Sequence, residues 1–274
     1  MYKLFNVGNL VYGEVIKRPS SICKTPYVAD VKLEDGTMTL AHSTSLGCCG
    51  LADKGAKVMM LPVEKKKNVC KYRIILSVRE EKEYKEFIGI DTALPERIVH
   101  QCLLNSYIPS LCNLKNICSQ ISILNSRFDF AGIDNDDTDF ILEVKNVPLA
   151  DYVDCHAKDR KKFDDSKCNY NDKISYFPDG YRKKVSSTIS PRALKHVKEL
   201  LELKQTTSKR AILCFVIQRT DVSSFQPSII DPEYRNAVIE AYKNGVEIIL
   251  LVIKWEPNGD CYLKTTDLKL NIGY

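Results

Sequence analysis

Hydrophobic positions in the first 80 or so residues alternate, or cluster in short β-branched stretches. These recur at Leu10 to Ile16, Tyr27 to Leu33, Thr37 to His42, Ala56 to Val63 and Val69 to Val78. Turn-forming residues separate them: Arg18-Pro19-Ser20-Ser21, Glu34-Asp35-Gly36, Asp53-Lys54-Gly55 and Lys65 to Asn68. Five short strands at this spacing predict a small barrel or a sandwich, and periodicity does not choose between them. The charged stretch Glu80 to Glu86 reads as a linker or a frayed helix.

From Gly89 the pattern changes. Ile98, Cys102 and Leu103 recur at helical spacing within a helix predicted over Pro95 to Tyr107. Strands follow at Ile117 to Leu124, Arg127 to Ile133 and Phe140 to Val147, the last two joined by the turn Asp134-Asn135-Asp136-Asp137. Ser190-Pro191 and Asp231-Pro232 each pair a capping residue with proline at the first helical position. They open helices running through Lys204 and to Gly245. On the first of these, Ala193, Leu194, Val197, Leu200 and Leu201 share one arc, and Arg192, Lys195, His196 and Glu199 share the other. Ala211 to Gln218 and Val246 to Ile253 are continuous apolar strands, the signature of a sheet covered on both faces. The reading is therefore α/β (α+β overall), with a β-rich unit over 1–84 and an α/β unit over 85–274 built on a mixed central sheet. Asp151 to Tyr176 is polar and carries Lys158-Asp159-Arg160-Lys161-Lys162; with its flank it predicts an exposed insertion over about 151–189.

Composition narrows the classes. The 274 residues are 44% hydrophobic and 27% charged, which is ordinary for a folded soluble domain. The formal net charge of +5 permits a nucleic-acid partner without implying one. The longest apolar run, Ile248 to Ile253, falls far short of the ~20 residues a membrane-spanning helix needs. No secretory signal is visible, so the expectation is a cytoplasmic or nuclear protein that is not secreted and meets no membrane. The 11 cysteines include no C-x-x-C pair and read as reduced, mostly buried small hydrophobes.

The candidate chemistry lies in two strands. In Phe140-Ile141-Leu142-Glu143-Val144-Lys145, alternation puts Glu143 and Lys145 on one face of a strand otherwise read as buried. In Arg127-Phe128-Asp129-Phe130, the same alternation puts Phe128 and Phe130 on one face and Arg127 and Asp129 on the other. Folded as a hairpin, the two strands bring Asp129 towards Glu143. Paired carboxylates beside a lysine suit a hard divalent cation, Mg²⁺ or Mn²⁺, which polarises a phosphoryl oxygen and activates water while the lysine orients that water or stabilises charge. This is the D-(x)n-E-x-K pattern of the PD-(D/E)xK nuclease-like fold, which the order of predicted elements also resembles. On this reading Asp129, Glu143 and Lys145 are catalytic, with Asp129 and Glu143 holding the metal.

Several segments in order along the chain then resemble the sugar fermentation stimulation protein A family. They are Gly13-Glu14-Val15-Ile16-Lys17-Arg18-Pro19-Ser20, Lys71-Tyr72, Gly89-Ile90-Asp91-Thr92, Ser126-Arg127-Phe128-Asp129-Phe130, Glu143-Val144-Lys145-Asn146-Val147 and Phe177-Pro178-Asp179. Lys195-His196-Val197-Lys198-Glu199-Leu200, Gln218-Arg219, Phe225-Gln226-Pro227 and Asp231-Pro232-Glu233-Tyr234 complete the set. The resemblance implies an N-terminal OB-like β-barrel followed by a PD-(D/E)xK nuclease-like domain, with DNA as partner. The DNA expected is duplex with little sequence preference. The implied activity is a metal-dependent DNA phosphodiesterase; the alternative is a non-catalytic DNA-binding regulator of sugar metabolism genes on the same scaffold. Asp129, Glu143 and Lys145 match the S-R-x-D-F and E-V-K motifs. Arg127, Arg192, Lys195, His196 and Lys71 become candidate DNA contacts, and Gln218, at a strand end, a candidate catalytic amide positioning the scissile phosphate or water. The chain departs from the family pattern just upstream of these motifs. The family tends to carry a glutamate shortly before S-R-x-D-F, and here Ser119-Gln120-Ile121-Ser122 stands in that stretch.

Overall fold

The computed structural model describes residues 1–44, 50–63, 69–160, 162–178 and 188–272. Its first part comprises β1 (Tyr2–Asn6), β2 (Val11–Lys17), β3 (Val28–Leu33), β4 (Met38–His42), β5 (Lys57–Pro62), β6 (Tyr72–Glu81) and β7 (Tyr84–Gly89). Then come α1 (Leu94–Leu104), β8 (Asn116–Ile123), β9 (Ser126–Ile133), β10 (Asp139–Val147), β11 (Ala150–Asp151), α2 (Ala157–Arg160) and β12 (Lys173–Phe177). The last part is α3 (Pro191–Thr206), β13 (Arg210–Ile217), β14 (Val222–Pro227), α4 (Pro232–Lys243), β15 (Glu247–Trp255), β16 (Asp260–Thr265) and β17 (Lys269–Leu270).

Strands β2 to β6 close on themselves. β2 pairs with β3 and β5, β3 with β4, and β5 with β6, all antiparallel. A parallel contact between β4 and β6, Ala41 opposite Tyr72 and His42 opposite Arg73, completes the ring. Five strands closed in this order form the OB-type barrel, which decides between barrel and sandwich. Val15, Val31, Ala41, Val58, Met60 and Ile74 fill it. Glu80 to Glu86 is neither linker nor helix: β6 and β7 form a hairpin that turns at Lys82, whose φ is +55°.

A seven-stranded mixed sheet, ordered β1-β16-β15-β13-β10-β9-β8, carries the rest. Its three central strands β10, β13 and β15 are parallel, as their continuous apolar character requires. One face packs on α1 and on barrel residues Met59, Leu76 and Val78; the other packs on α3 and α4. Asp231 caps α4 by accepting the Tyr234 N–H, whereas Ser190 makes no side-chain cap on α3.

Two expectations about organisation change. The division at 84/85 would cut the β6–β7 hairpin, and β1 belongs to the seven-stranded sheet through its pairing with β16. The expected exposed insertion over 151–189 holds for the middle of its described part, where residues 162–172 are mostly exposed, but not for its ends. Ala150–Asp151 and Lys173–Phe177 join β14 and β17 in a four-stranded sheet, and Asp154, Lys173, Ser175 and Tyr176 are buried. The buried polar groups at those ends are satisfied. Asp154 accepts from Gln226, Ser228 and the Ile229 N–H, and Lys173 pairs with Glu81 at 3.0 Å and Asp221 at 3.1 Å. Lys65 to Lys67, Cys48, Cys49, Lys161 and Asp179 lie outside the described residues. Of the nine described cysteines, all free, only Cys102, Cys214 and Cys261 are buried, so most of them are not core residues.

The barrel is fixed to the sheet by polar contacts as well as apolar ones. Glu86 accepts the Thr220 N–H at 2.6 Å and its hydroxyl at 3.1 Å. Asp221, held by an Arg219 fork at 2.6 and 2.7 Å, shares Lys173 with Glu81 of β6. Gly89 donates its N–H to the Gln218 carbonyl at 3.1 Å.

Candidate functional site

The site begins where a ladder stops. β9 and β10 pair regularly from Ile133–Asp139 to Phe130–Leu142 and no further. Beyond that point the Val144 N–H is taken by the Asp129 carboxylate, Oδ2 accepting at 2.7 Å. A side chain thus replaces a backbone partner and the two strands splay. Alternation breaks at the same place. Phe130 packs in the core under α1, while Phe128 packs in the core under α3. The expectation that both phenylalanines share a face fails because it assumes an unbroken ladder.

Glu143 and Lys145 do share a face of β10, and both are buried, at 3% and 8% exposure. Lys145 Nζ donates to Glu143 Oε1 at 2.5 Å. His196 Nδ1 meets the same oxygen and lies 3.5 Å from Lys145 Nζ. His196 is therefore no part of a solvent-facing grip on phosphate. α3 turns it inward against Phe128, because a buried carboxylate on the sheet needs partners; Glu199 is buried on the same helix. The helical arc read as polar is partly the inner face.

Electrostatics separate the two carboxylates. Burial, and then the charge of Glu143, push the Asp129 carboxyl up to about 6 against the Val144 N–H; Glu96 adds to the push and Lys145 opposes it. Burial alone would raise Glu143, but the contact with His196 and the charge of Lys145 outweigh it and hold that carboxyl below its ordinary value. Glu143 Oε2 is buried and has no hydrogen-bond partner among the described residues. An orphaned carboxylate oxygen beside a second carboxylate is a donor set that fits a hard divalent cation, which takes one or two carboxylates and fills its remaining positions with water or phosphate. Among the described residues, no three His, Cys, Asp or Glu side chains already stand close enough to share an ion.

The other candidates divide. Lys195 is exposed and donates to the Asn125 carbonyl at 2.5 Å, which brings it to the β8–β9 turn beside exposed Arg127. Arg192 is exposed one turn earlier on α3. Lys71 is exposed on the barrel, its N–H bonded to the Leu40 carbonyl, and no described contact links it to the others. Gln218 is not in the site. It is fully buried, its Nε2 donates to Asn146 Oδ1 at 3.0 Å, and its Oε1 accepts from Trp255 Nε1 at 2.8 Å. An amide held at both ends in the core and fully buried does not reach a phosphate at the surface, so the structure does not bring Gln218 to the site.

One neighbour of the site went unread in the sequence. Glu96, in the first turn of α1, accepts from Gln120 Nε2 at 2.6 Å. An acid in a first turn is what the helix dipole favours, and so it carried no separate signal.

Residues 93–259 match the family model described as the Sugar fermentation stimulation protein RE domain. The chain belongs to the sugar fermentation stimulation protein family. A homolog from Crocosphaera subtropica is 31% identical over 250 residues, covering 89% of this chain and 90% of the relative. One from Ruegeria pomeroyi is 30% identical over 238 residues, covering 85% and 89%. The structure of Pyrococcus furiosus SfsA in complex with Ca²⁺ matches with a TM-score of 0.75 at 20% identity, covering 99% of this chain and all of that one. That likeness shows the fold, barrel and sheet together. Among the described residues no helix is long and apolar enough to cross a membrane.

Proposed function

We propose that this member of the family is a divalent-metal-dependent DNA phosphodiesterase. The observation that carries the reading is the splayed β9–β10 pair, which gathers Asp129, Glu143 and Lys145 and leaves Glu143 Oε2 without a partner. Asp129 and Glu143 would hold Mg²⁺ or Mn²⁺. The Pyrococcus furiosus protein is in complex with Ca²⁺, another hard oxygen-seeking cation, which supports that choice. Bound between the two carboxylates, the ion would polarise a phosphoryl oxygen and lower the pKa of a water. Lys145, held 2.5 Å from Glu143, is placed to orient that water or to meet charge developing on phosphate. His196 fixes Glu143 Oε1, leaving Oε2 as the free donor. Exposed Arg127, Arg192 and Lys195 offer backbone phosphates a cationic rim, and Lys71 offers a further contact from the barrel. Contacts of this kind bind duplex DNA with little sequence preference.

The test is plasmid nicking with Mg²⁺ or Mn²⁺ beside a duplex-binding titration, using wild type and Lys145→Met, a substitution of similar length. The variant should lose nicking and keep DNA affinity within about twofold. Nicking retained by the variant refutes the role of Lys145. A second reading, a non-catalytic DNA-binding regulator, is favoured by the double engagement of Glu143 Oε1 and by the lack of a ready three-acid cluster among the described residues. Duplex binding without nicking by wild type would establish it.

A further inference from the structure

A cavity of about 270 Å³ lies between the barrel and the four-stranded sheet. Arg79 to Glu81 of β6 line it from the barrel. Leu149 to Tyr152, which continue β10, and Arg219 and Asp221, which continue β13, line it from the sheet. β10 and β13 are parallel neighbours. The space beyond the carboxyl ends of parallel strands is where α/β sheets bind their ligands. Arg160 of α2, with Asp165 and Tyr170, adds a wall from the insertion. Asp129, Glu143 and Lys145 do not line this cavity, and Glu143 lies four residues before the end of β10, about 13 Å back at the rise of a strand.

Most charges on these walls are matched. Glu80 pairs with Lys57 and Lys85, which stand outside the cavity. Lys173 joins Glu81 to Asp221, Arg219 forks onto Asp221, and Arg160 reaches Asp151 at 3.7 Å. Arg79 differs. Among the described residues it makes no ion pair and no hydrogen bond, and its side chain stays exposed. The packing around it, and then the charge of Arg219, hold its pKa below the ordinary value, and Asp151 offsets them only in part. A planar fork of donors is therefore left without an acceptor. The tyrosine rings are occupied in another way. Lys173 Nζ sits 4.0 Å from the Tyr170 ring centre and 4.7 Å from that of Tyr152, Arg160 covers Tyr176, and Tyr84 stacks on Tyr170. These rings are not an open platform for a flat aromatic ligand. Asp165, exposed and without an ion pair among the described residues, is the carboxylate left to accept from a ligand.

We infer that this cavity binds a small hydroxylated phosphate monoester, with the Arg79 guanidinium on its phosphate and Asp165 accepting from its hydroxyl groups. A phosphate monoester carries a charge of about −1.5 to −2 at pH 7 and offers one guanidinium two oxygens at once. Such an anion relieves the repulsion between Arg79 and Arg219, which a neutral polyol does not. The carboxylates of Glu81, Asp151 and Asp221 set the other limit. They would repel a second phosphate brought into the same space, so the walls favour a single phosphate group over a nucleic-acid strand. This site is separate from the cation site proposed above and does not depend on it.

The test titrates ribose 5-phosphate, AMP, ribose and gluconate into the full chain in phosphate-free buffer, read by calorimetry and by thermal melting. The proteins are wild type, Arg79→Gln and Lys243→Gln. Lys243 is exposed at the end of α4 and controls for loss of one positive charge. Wild type should bind one equivalent of ribose 5-phosphate and melt higher with it. Arg79→Gln should bind at least about tenfold more weakly, the loss expected when one charge-assisted pair is removed. It should melt no lower than wild type without ligand, because Arg79 has no partner to lose. Lys243→Gln should match wild type. Ribose, which lacks the phosphate, and gluconate, which carries a carboxylate instead, should each bind at least about tenfold more weakly than ribose 5-phosphate. AMP should gain nothing from its base. The inference is overturned if millimolar ribose 5-phosphate gives wild type neither heat nor a higher melting temperature. Equal weakening in Arg79→Gln and Lys243→Gln also overturns it. Gluconate binding as tightly as ribose 5-phosphate overturns the choice of phosphate, and AMP binding far more tightly overturns the choice of an unstacked ligand.

Discussion

Asp129→Asn should make the metal-free protein more stable at neutral pH. The substitution removes a charge but keeps an oxygen that can accept the Val144 N–H. In the folded state burial and Glu143 push the Asp129 carboxyl from 3.8 up to about 6. A carboxyl with that displacement opposes folding by about 3 kcal/mol once it is fully ionised. The sign follows from proton binding. Between pH 3.8 and about 6 the folded chain holds a proton that the unfolded chain releases, so this group makes stability fall as pH rises through that window. Above it the full penalty remains; below it none does. Melting curves in chelator should therefore coincide near pH 4 and separate by pH 7.5, with the variant higher by up to about 3 kcal/mol, or roughly 6–10 °C for a chain of this size. Saturating Mn²⁺ should reverse the order, because binding at about 1,000 times Kd would stabilise only wild type, by about 4.1 kcal/mol. A variant less stable than wild type at pH 7.5 in chelator, or a difference that does not change with pH, would refute the electrostatic reasoning.

Two further substitutions test the junction between barrel and sheet. Lys173→Met removes the buried cation shared by Glu81 and Asp221, while the Arg219 fork still holds Asp221; the expected loss is about 3 kcal/mol by urea denaturation, and a change under 0.5 kcal/mol would sink the reading. Gly89→Ala places a Cβ 2.4 Å from Gln218 Oε1 and 2.5 Å from Trp255 Nε1, so the hydrogen bond between those two groups must yield. It should cost about 2–3 kcal/mol and shift the emission of the single tryptophan to the red; unchanged stability and emission would contradict the packing described.

Much of this architecture is written locally. The barrel strands, the hairpin turning at Asp134 to Asp137 and the helices after Ser190-Pro191 and Asp231-Pro232 all depend on short-range periodicity and turn chemistry. The charged pair Glu143 and Lys145 stood out because apolar neighbours surround it. What stayed hidden depends on partners far along the chain. Asp129 ends a ladder that period-two reasoning assumes to continue, and so Phe128 changes face. His196 and Glu199 looked solvent-facing because a helical wheel does not know that the sheet beneath holds a buried carboxylate. Lys173 and Asp154 looked like loop residues because their partners, Asp221 and Ser228, come some 50 to 70 residues later. Gln218 matched a motif and sits at a strand end as expected, but its amide is consumed by Trp255 and Asn146.

The pairing of β1 with β16 has a consequence for how the chain is made. Tyr2 to Asn6 leave the ribosome well before their ladder partners, Asp260 to Leu263, which follow about 250 residues later. At 5–20 residues per second, that strand waits roughly 13–50 s for its mate. The barrel can close meanwhile, since all its strands are in hand by Glu81. This strand pair therefore forms late, clasping the sheet across some 250 residues of sequence. A circular permutant that links the two ends and opens an exposed turn elsewhere would bring β1 and β16 together from the start, whereas a fragment beginning after the barrel would leave β16 as a bare edge.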